Sequence, residues 1–177
     1  MSKDKDSNNK SNFNTWDIVL TVLFFTSMGL TIWGINIYRL TIIDTKYLLA
    51  AVAFGTTLAF IGLTFIKSSY PAFWVFFIKT AIGSGIFYFG LLFLNQQFAD
   101  KELTRADFNI VKIGTLGRGR SSNCSQPYVI IDFNGTEKQL LFYCDYADII
   151  KRSTKIQLVY SKGTFGFMTI KSKQLVD

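Results

Sequence analysis

The sequence predicts an α+β membrane protein in which three transmembrane helices precede a small antiparallel β domain of about five strands, barrel-like or sandwich-like in shape. Residues 18–38 and 47–66 carry no charged side chain, and residues 72–94 carry only Lys79. About 20 helical residues span the hydrocarbon core of a bilayer, so each run is long enough to cross it. Beyond these runs, apolar and polar residues alternate over short stretches, as they do in half-buried strands.

The alternative to three membrane spans is a soluble helical bundle. Such a bundle would show polar residues on an outward face every three to four positions. The polar positions within the three runs are instead mostly Thr, Ser and Gly, and aromatic residues lie near the ends of the runs, as at a membrane interface. The first run is longer than the apolar part of a signal peptide and no small-residue cleavage site follows it, which favours a retained anchor.

The chain divides into three parts on this basis. Residues 1–15 are polar and low in complexity and are predicted to be a disordered cytoplasmic tail. Residues 16–95 form the transmembrane domain, and residues 96–177 form the extracytoplasmic β domain. Within the β domain a helical turn is expected over 145–152, and strands are expected over residues 107–114, 127–133, 138–144, 155–161 and 166–171.

The dipeptide Asn134-Gly135 lies between two β-type runs and predicts a type I′ hairpin turn. In that register Phe133 faces Thr136, and Cys124 and Cys144 fall within one residue of directly opposite positions. This separation suits a disulfide after a small adjustment of the ladder. A disulfide would stabilise so small a domain by about 3 kcal/mol, and two free thiols flanking a hairpin are the alternative.

The sidedness of the membrane domain follows from two observations. Lysine and arginine near the span ends number five on the side of the N-terminus and four on the other side, which leans toward a cytoplasmic N-terminus. A disulfide persists outside the cytosol, which places the β domain in the periplasm or outside the cell. The abundance of Lys, Asn, Ile and Phe is typical of AT-rich bacterial genomes, so a bacterial inner membrane is expected.

Small residues recur in the second and third spans, where they let helix backbones approach closely. The residues predicted to serve helix packing, within the chain or against another membrane protein, are Ala51, Gly55, Ala59, Ala81, Gly83, Gly85 and Gly90. Lys79 is the one ionisable residue within the predicted spans. It is either an anchor that snorkels to the interface or a functional charge for an ion pathway or subunit pairing.

The loop between the first predicted strand and the hairpin contains Arg118 and Arg120, which could hold a phosphate or carboxylate through forked hydrogen bonds. The loop lacks the pattern of a nucleotide-binding loop, and a solvated loop is the alternative. Residues 95–177 hold 12 Lys and Arg against 8 Asp and Glu, too mild an excess to indicate nucleic acid. A basic surface beside a membrane instead suits anionic lipid headgroups or an acidic partner, and a merely solvated surface is the alternative.

The sequence contains no histidine and only two cysteines. Histidine-based catalysis, histidine-ligated metals and the usual four-ligand zinc site are therefore excluded. Asp145 and Asp148 are the nearest pair of carboxylates, and their place in a polar connector is typical of turn formation and helix capping. No catalytic residue, cofactor, metal or small-molecule substrate is predicted, and the protein is not expected to be an enzyme.

Three classes of function remain. The first, which we favour, is a non-catalytic accessory or interaction subunit, docked by its helices beside other integral membrane subunits and contacting a partner through its β domain. The second is a membrane immunity protein that neutralises a toxin. The third is a small transport or ion-handling component that depends on Lys79. The sequence identifies neither the partner nor the biological process.

Overall fold

The computed structural model describes residues 14–117 and 125–176. Within these residues three helices are long and apolar enough, by length and composition, to cross a membrane. They are α1 (Thr15–Leu40), α2 (Thr45–Gly62) and α3 (Ala72–Gln97). The predicted cytoplasmic tail, residues 1–15, lies almost wholly outside the described part of the chain.

Capping residues explain where the helices begin. The side chain of Asn14 accepts a hydrogen bond from the backbone N–H of Trp16, and that of Asp44 accepts one from the N–H of Lys46. Each thereby satisfies an N–H that has no partner within the helix. Pro71 precedes α3 and, lacking an N–H, suits a helix start.

The second helix is shorter than predicted. The apolar run suggested residues 47–66, but α2 ends at Gly62, and 18 residues correspond to about 27 Å of helix. Residues 67–70 lie against the start of α1. The backbone carbonyl of Lys67 accepts a hydrogen bond from Asn14, and the backbone N–H of Ser69 donates one to Asp17. The segment after Gly62 therefore turns over the start of α1 instead of continuing the helix.

The β domain is a nearly closed, barrel-like antiparallel sheet of six strands in the order β1-β6-β5-β2-β3-β4. A 3-10 turn (Cys144–Tyr146) and α4 (Ala147–Arg152) join β4 to β5, where one helical turn was predicted. The strands are β1 (Thr41–Ile42), β2 (Thr104–Thr115), β3 (Pro127–Phe133), β4 (Thr136–Leu141), β5 (Lys155–Lys162) and β6 (Met168–Val176).

The sheet has six strands, where about five were predicted, all of them after the helices. The extra strand, β1, belongs to the connection between α1 and α2, and its two residues pair with Thr169 and Met168 of β6. Two residues are too few to show an alternating pattern, so periodicity could not predict this strand. Ile42 of β1 packs in the core of the barrel, so the connection between α1 and α2 contributes to that core.

The predicted hairpin register is confirmed. Phe133 pairs with Thr136, and Asn134 and Gly135 both adopt positive φ, at 52° and 84°. A type I′ turn requires positive φ at both central residues, and Asn and Gly tolerate it best. The side chain of Asp132 also accepts a hydrogen bond from the backbone N–H of Gly135.

Candidate functional site at the barrel seam

The barrel does not close through a continuous backbone ladder. The terminal strands of the sheet are β1 and β4, and β1 covers only the first two residues of β6. Beyond them the edge of β6 faces the edge of β4 across a gap, which we call the seam. Because neighbouring strands alternate in direction, β4 and β6 run parallel to each other along the seam. Side chains, not strand pairing, bridge it.

Lys138 of β4 is the first bridge. It occupies an inward-facing position of the strand and is only 6% exposed. Its Nζ donates hydrogen bonds to the backbone carbonyls of Tyr38, at 2.7 Å, and Thr41, at 2.6 Å. The Nζ also lies 4.5 Å from the centre of the Tyr38 ring, within the range of a cation–π contact. One side chain thus joins the two terminal strands of the sheet.

The contact also places a positive charge at the C-terminal end of α1. The last carbonyls of a helix lack partners within it and carry a partial negative charge, which a cation stabilises. Burial lowers the pKa of Lys138 from its ordinary 10.5 to about 8. The ammonium form therefore predominates at neutral pH.

Lys173 of β6 is the second bridge. Its Nζ donates a hydrogen bond to the backbone carbonyl of Leu141 on β4, and it lies 4.4 Å from the centre of the Phe142 ring. Burial lowers the pKa of this lysine as well. Both lysines therefore reach across the seam, one from each side.

Asn95 attaches the third helix to the barrel. It is fully buried, its Nδ2 donates to the carbonyl of Phe167 at 3.1 Å, and its Oδ1 accepts from the N–H of Phe165 at 3.1 Å. Both partners lie in the turn between β5 and β6. A Cβ on Gly163 in the same turn would collide with the Asn95 side chain, so only glycine allows this approach.

An open cleft of about 1350 Å³ runs along the seam. It is lined by residues 35, 36 and 38–40 at the end of α1, by β4 and the residues after it, by β6, and by the exposed side of the α4 connection. Its described lining carries three cations, Arg39, Lys138 and Lys173, against one carboxylate, Glu137. The cleft therefore lies between the end of α1 and the sheet, and its described lining has an excess of positive charge.

A second polar cluster lies at the opposite end of the helices. Asp17, only 2% exposed, accepts hydrogen bonds from the Ser68 hydroxyl at 2.7 Å and the Ser69 N–H at 3.0 Å. The hydroxyls of Thr21 and Tyr70 lie 3.1 Å apart beside it. The predicted spans contained no acidic residue, but α1 begins at Thr15 and so includes Asp17.

The small residues of the spans have different surroundings. Gly55 and Gly83 lie at the contact of α2 with α3, where a Cβ on either would collide with the other's backbone, and Ala59 also contacts Gly83. A Cβ on Gly85 would collide with Ser27 and Thr31 of α1, and the carbonyl of Ala81 accepts a hydrogen bond from Ser27 at 2.7 Å.

Two other predicted packing residues differ from these. Ala51, one helical turn before Gly55, is half-buried. A Cβ on Gly90 would meet no atom within 4 Å. Packing between helices therefore centres on Gly55, Gly83 and Gly85, whereas Gly90 faces open space.

Lys79 is 8% exposed, on the side of α3 that also carries Gly83 one turn later. Among residues 14–117 and 125–176 its ammonium has no hydrogen-bond or ion-pair partner. Seven positions from the start of α3, it lies about 10 Å along the helix. Its function stays a prediction.

Three other predicted site residues, Cys124, Arg118 and Arg120, lie outside the described residues. Cys144 begins the 3-10 turn after β4 and is not a free thiol. The disulfide and the anion contact therefore stay predictions.

Sequence reasoning missed Lys138, Lys173, Asn95 and Asp17. A signal for Lys138 was present, since the predicted hairpin register pairs it with Ile131, a core residue. A lysine opposite a buried isoleucine indicates a charge that needs a buried partner. The other three residues carry no comparable signal, because their partners are groups distant in the sequence.

Comparison with protein-family models, with curated proteins and with solved structures found no match to this chain.

Proposed function

We propose that the protein is a multi-pass membrane protein that acts as a non-catalytic accessory subunit of a larger membrane complex. Its helices dock beside other integral subunits, and its barrel contacts a partner on the extracytoplasmic side. The observation that carries this proposal is the attachment of the barrel to α1, to the α1–α2 connection and to α3. A barrel that is fixed relative to the bilayer presents one defined surface to a partner.

Three independent contacts fix the barrel in place. β1 makes the α1–α2 connection part of the sheet, Lys138 holds the end of α1, and Asn95 holds α3. A barrel on a flexible linker would instead sample many orientations. Binding through a fixed surface requires less ordering of the chain and therefore favours a stable assembly.

The exposed second half of β2 is the part of the barrel that best suits a protein partner. Val111, at the irregularity in the β2–β3 ladder, is 58% exposed, and Ile113 is 41% exposed. Neighbouring apolar side chains that are exposed on a sheet are typical of protein interfaces. These residues lie outside the lining of the cleft, so the two surfaces can be tested separately.

The helices offer a matching face in the membrane. A Cβ on Gly29 of α1 would meet no atom within 4 Å, and the neighbouring Phe25 and Ile32 are 65% and 64% exposed. A glycine between large apolar residues leaves a notch into which another helix can pack. Gly55, by contrast, is already used within the chain.

Co-purification in mild detergent tests the proposal. We expect stoichiometric partners with the wild type and their loss with Gly29→Leu or with Val111→Asp, while both variants stay folded. Lys155→Gln, an exposed change at the start of β5, is the control and should retain the partners. A solitary monodisperse monomer under conditions that keep other complexes intact would contradict the proposal.

The proposed orientation has a cytoplasmic N-terminus and a barrel in the periplasm, with the bacterial inner membrane as the location. The lysine and arginine count and the predicted disulfide support it. A membrane-impermeant maleimide, applied after reduction to intact cells with a permeable outer membrane, should label the cysteines. Labelling that requires lysis of the inner membrane would reverse the orientation and leave the anchoring unchanged.

Ion handling is a second candidate, because Lys79 is buried without a described partner and a buried charge in a span is typical of transport pathways. Flux through reconstituted liposomes that Lys79→Ala abolishes would select it. Unchanged flux in that variant would leave the accessory role as the better proposal.

A further inference from the structure

We propose that the seam cleft binds the headgroup of an anionic phospholipid. This inference rests on the membrane insertion proposed above and goes beyond the accessory role. The ligand is recognised through its phosphate and its net negative charge. Its glycerol and the first part of its acyl chains would lie against the apolar rim of the cleft.

The position of the cleft is the first argument. Ile35, Asn36, Arg39 and Leu40 line it, and all four belong to the last two turns of α1. In a chain whose α1 crosses the bilayer, the end of that helix lies at the level of the headgroups. The barrel residues on the other side of the cleft are therefore held against the membrane surface.

Charge is the second argument. Arg39 is exposed, and its guanidinium makes no hydrogen bond or ion pair with any residue that the structure describes. Lys138 uses two of its three N–H donors on the carbonyls of Tyr38 and Thr41, which leaves one. A forked guanidinium beside ammonium groups is a common arrangement for a phosphate.

The rim of the cleft is the third argument. Ile35 and Leu40 are 43% and 44% exposed on α1, and Tyr143 and Tyr146 are 79% and 43% exposed on the barrel side. Tyrosine is favoured at the membrane interface, because its ring is apolar and its hydroxyl is polar. Cations surrounded by exposed apolar and aromatic side chains match the two chemical parts of a phospholipid.

A strand from a protein partner is the competing occupant, since the free edges of β4 and β6 face each other across the seam. Lys138 and Lys173 already cross that gap, and a strand would have to displace both. A headgroup binds beside the lysines without displacing them. The observations therefore favour the lipid.

Native mass spectrometry of the full-length protein, purified in detergent and delipidated, tests the inference with added phosphatidylglycerol or phosphatidylcholine. We expect phosphatidylglycerol to bind at least tenfold more tightly. Arg39→Gln should weaken its binding about fivefold, as expected for the loss of one well-placed charge worth about 1 kcal/mol. Lys171→Gln, an exposed change on β6 outside the cleft lining, should have no effect.

Four results would overturn the inference. The first two are equal binding of the two lipids and a loss of binding in Lys171→Gln as large as that in Arg39→Gln. The other two are competition by glycerol phosphate at the same concentration as the lipid, and displacement of the lipid by an extended peptide. Extraction of membranes with carbonate separates this inference from the proposed function. A chain that resists extraction but shows no headgroup preference refutes the cleft alone, whereas release of the chain refutes membrane insertion itself.

Discussion

The Nζ of Lys138 lies 2.6 Å from the carbonyl oxygen of Thr41, 97 positions earlier in the chain. This contact joins the two terminal strands of the sheet and holds the end of α1 against the barrel. Since β1 contributes only two residues to the ladder, much of the attachment between α1 and the barrel depends on one side chain.

Replacement of Lys138 by methionine should therefore loosen this junction. Methionine has a similar length but donates no hydrogen bond, so the carbonyls of Tyr38 and Thr41 lose a charged donor. We expect a loss of about 1–3 kcal/mol in the free energy of unfolding, as for other buried hydrogen bonds to charged groups. Thermal unfolding in detergent measures it, with Lys112→Met on the exposed face of β2 as the control. Equal melting temperatures for the two variants would show that Lys138 does not hold the junction.

The lowered pKa of Lys138 should also make the stability of the protein depend on pH. This pKa is about 8 in the folded protein and near 10.5 in the unfolded chain. Between these values the unfolded state binds more protons, so the free energy of unfolding rises with pH. The neutral amine still donates N–H groups to the carbonyls. We expect the difference in melting temperature between wild type and Lys138→Met to grow from pH 7.5 to pH 10. If the difference shrank over this range, the hydrogen bonds of the ammonium would stabilise the folded protein by more than its burial destabilises it.

The contact of Asn95 with the β5–β6 turn allows a similar test on α3. Asn95→Leu keeps most of the volume but leaves the N–H of Phe165 without its partner, and the carbonyl of Phe167 keeps only its hydrogen bond from the N–H of Gly163 at 2.8 Å. The loss of two partly buried hydrogen bonds, one of which leaves its N–H unpaired, should destabilise the protein by about 1–3 kcal/mol. We expect a lower melting temperature and faster proteolysis in the turn at residues 163–167. Asn109→Leu, at an exposed position of β2, serves as the matched control, and equal proteolysis of both variants would exclude this role.

Local patterns in the sequence were enough to locate the helices and most strands. The uncharged runs predicted α1 and α3, and Asn134-Gly135 predicted the hairpin with its register, because both signals are local. The end of α2 was not predictable in this way. It depends on contacts of residues 67–70 with Asn14 and Asp17, which are distant in the sequence.

The seam was beyond prediction for the same reason. The register placed Lys138 on the inner face of the barrel, but only the fold shows that the end of α1 lies there to accept its hydrogen bonds. Asn95 resembles any polar residue at the end of a span. Its buried state becomes evident only when the β5–β6 turn is placed against α3.

Replacement by leucine should have very different effects on stability at two glycines of the helical domain, Gly55 and Gly90. In Gly55→Leu the new side chain would collide with the backbone of Gly83 and with Phe87, so α2 and α3 must separate. In Gly90→Leu the side chain enters open space, and leucine is the better helix former. We expect Gly55→Leu to aggregate or to melt at a markedly lower temperature in detergent. Gly90→Leu should stay monodisperse, with a melting temperature equal to or above that of the wild type. If both variants behaved alike, close packing of α2 on α3 at Gly55 and Gly83 would not be what holds these helices together.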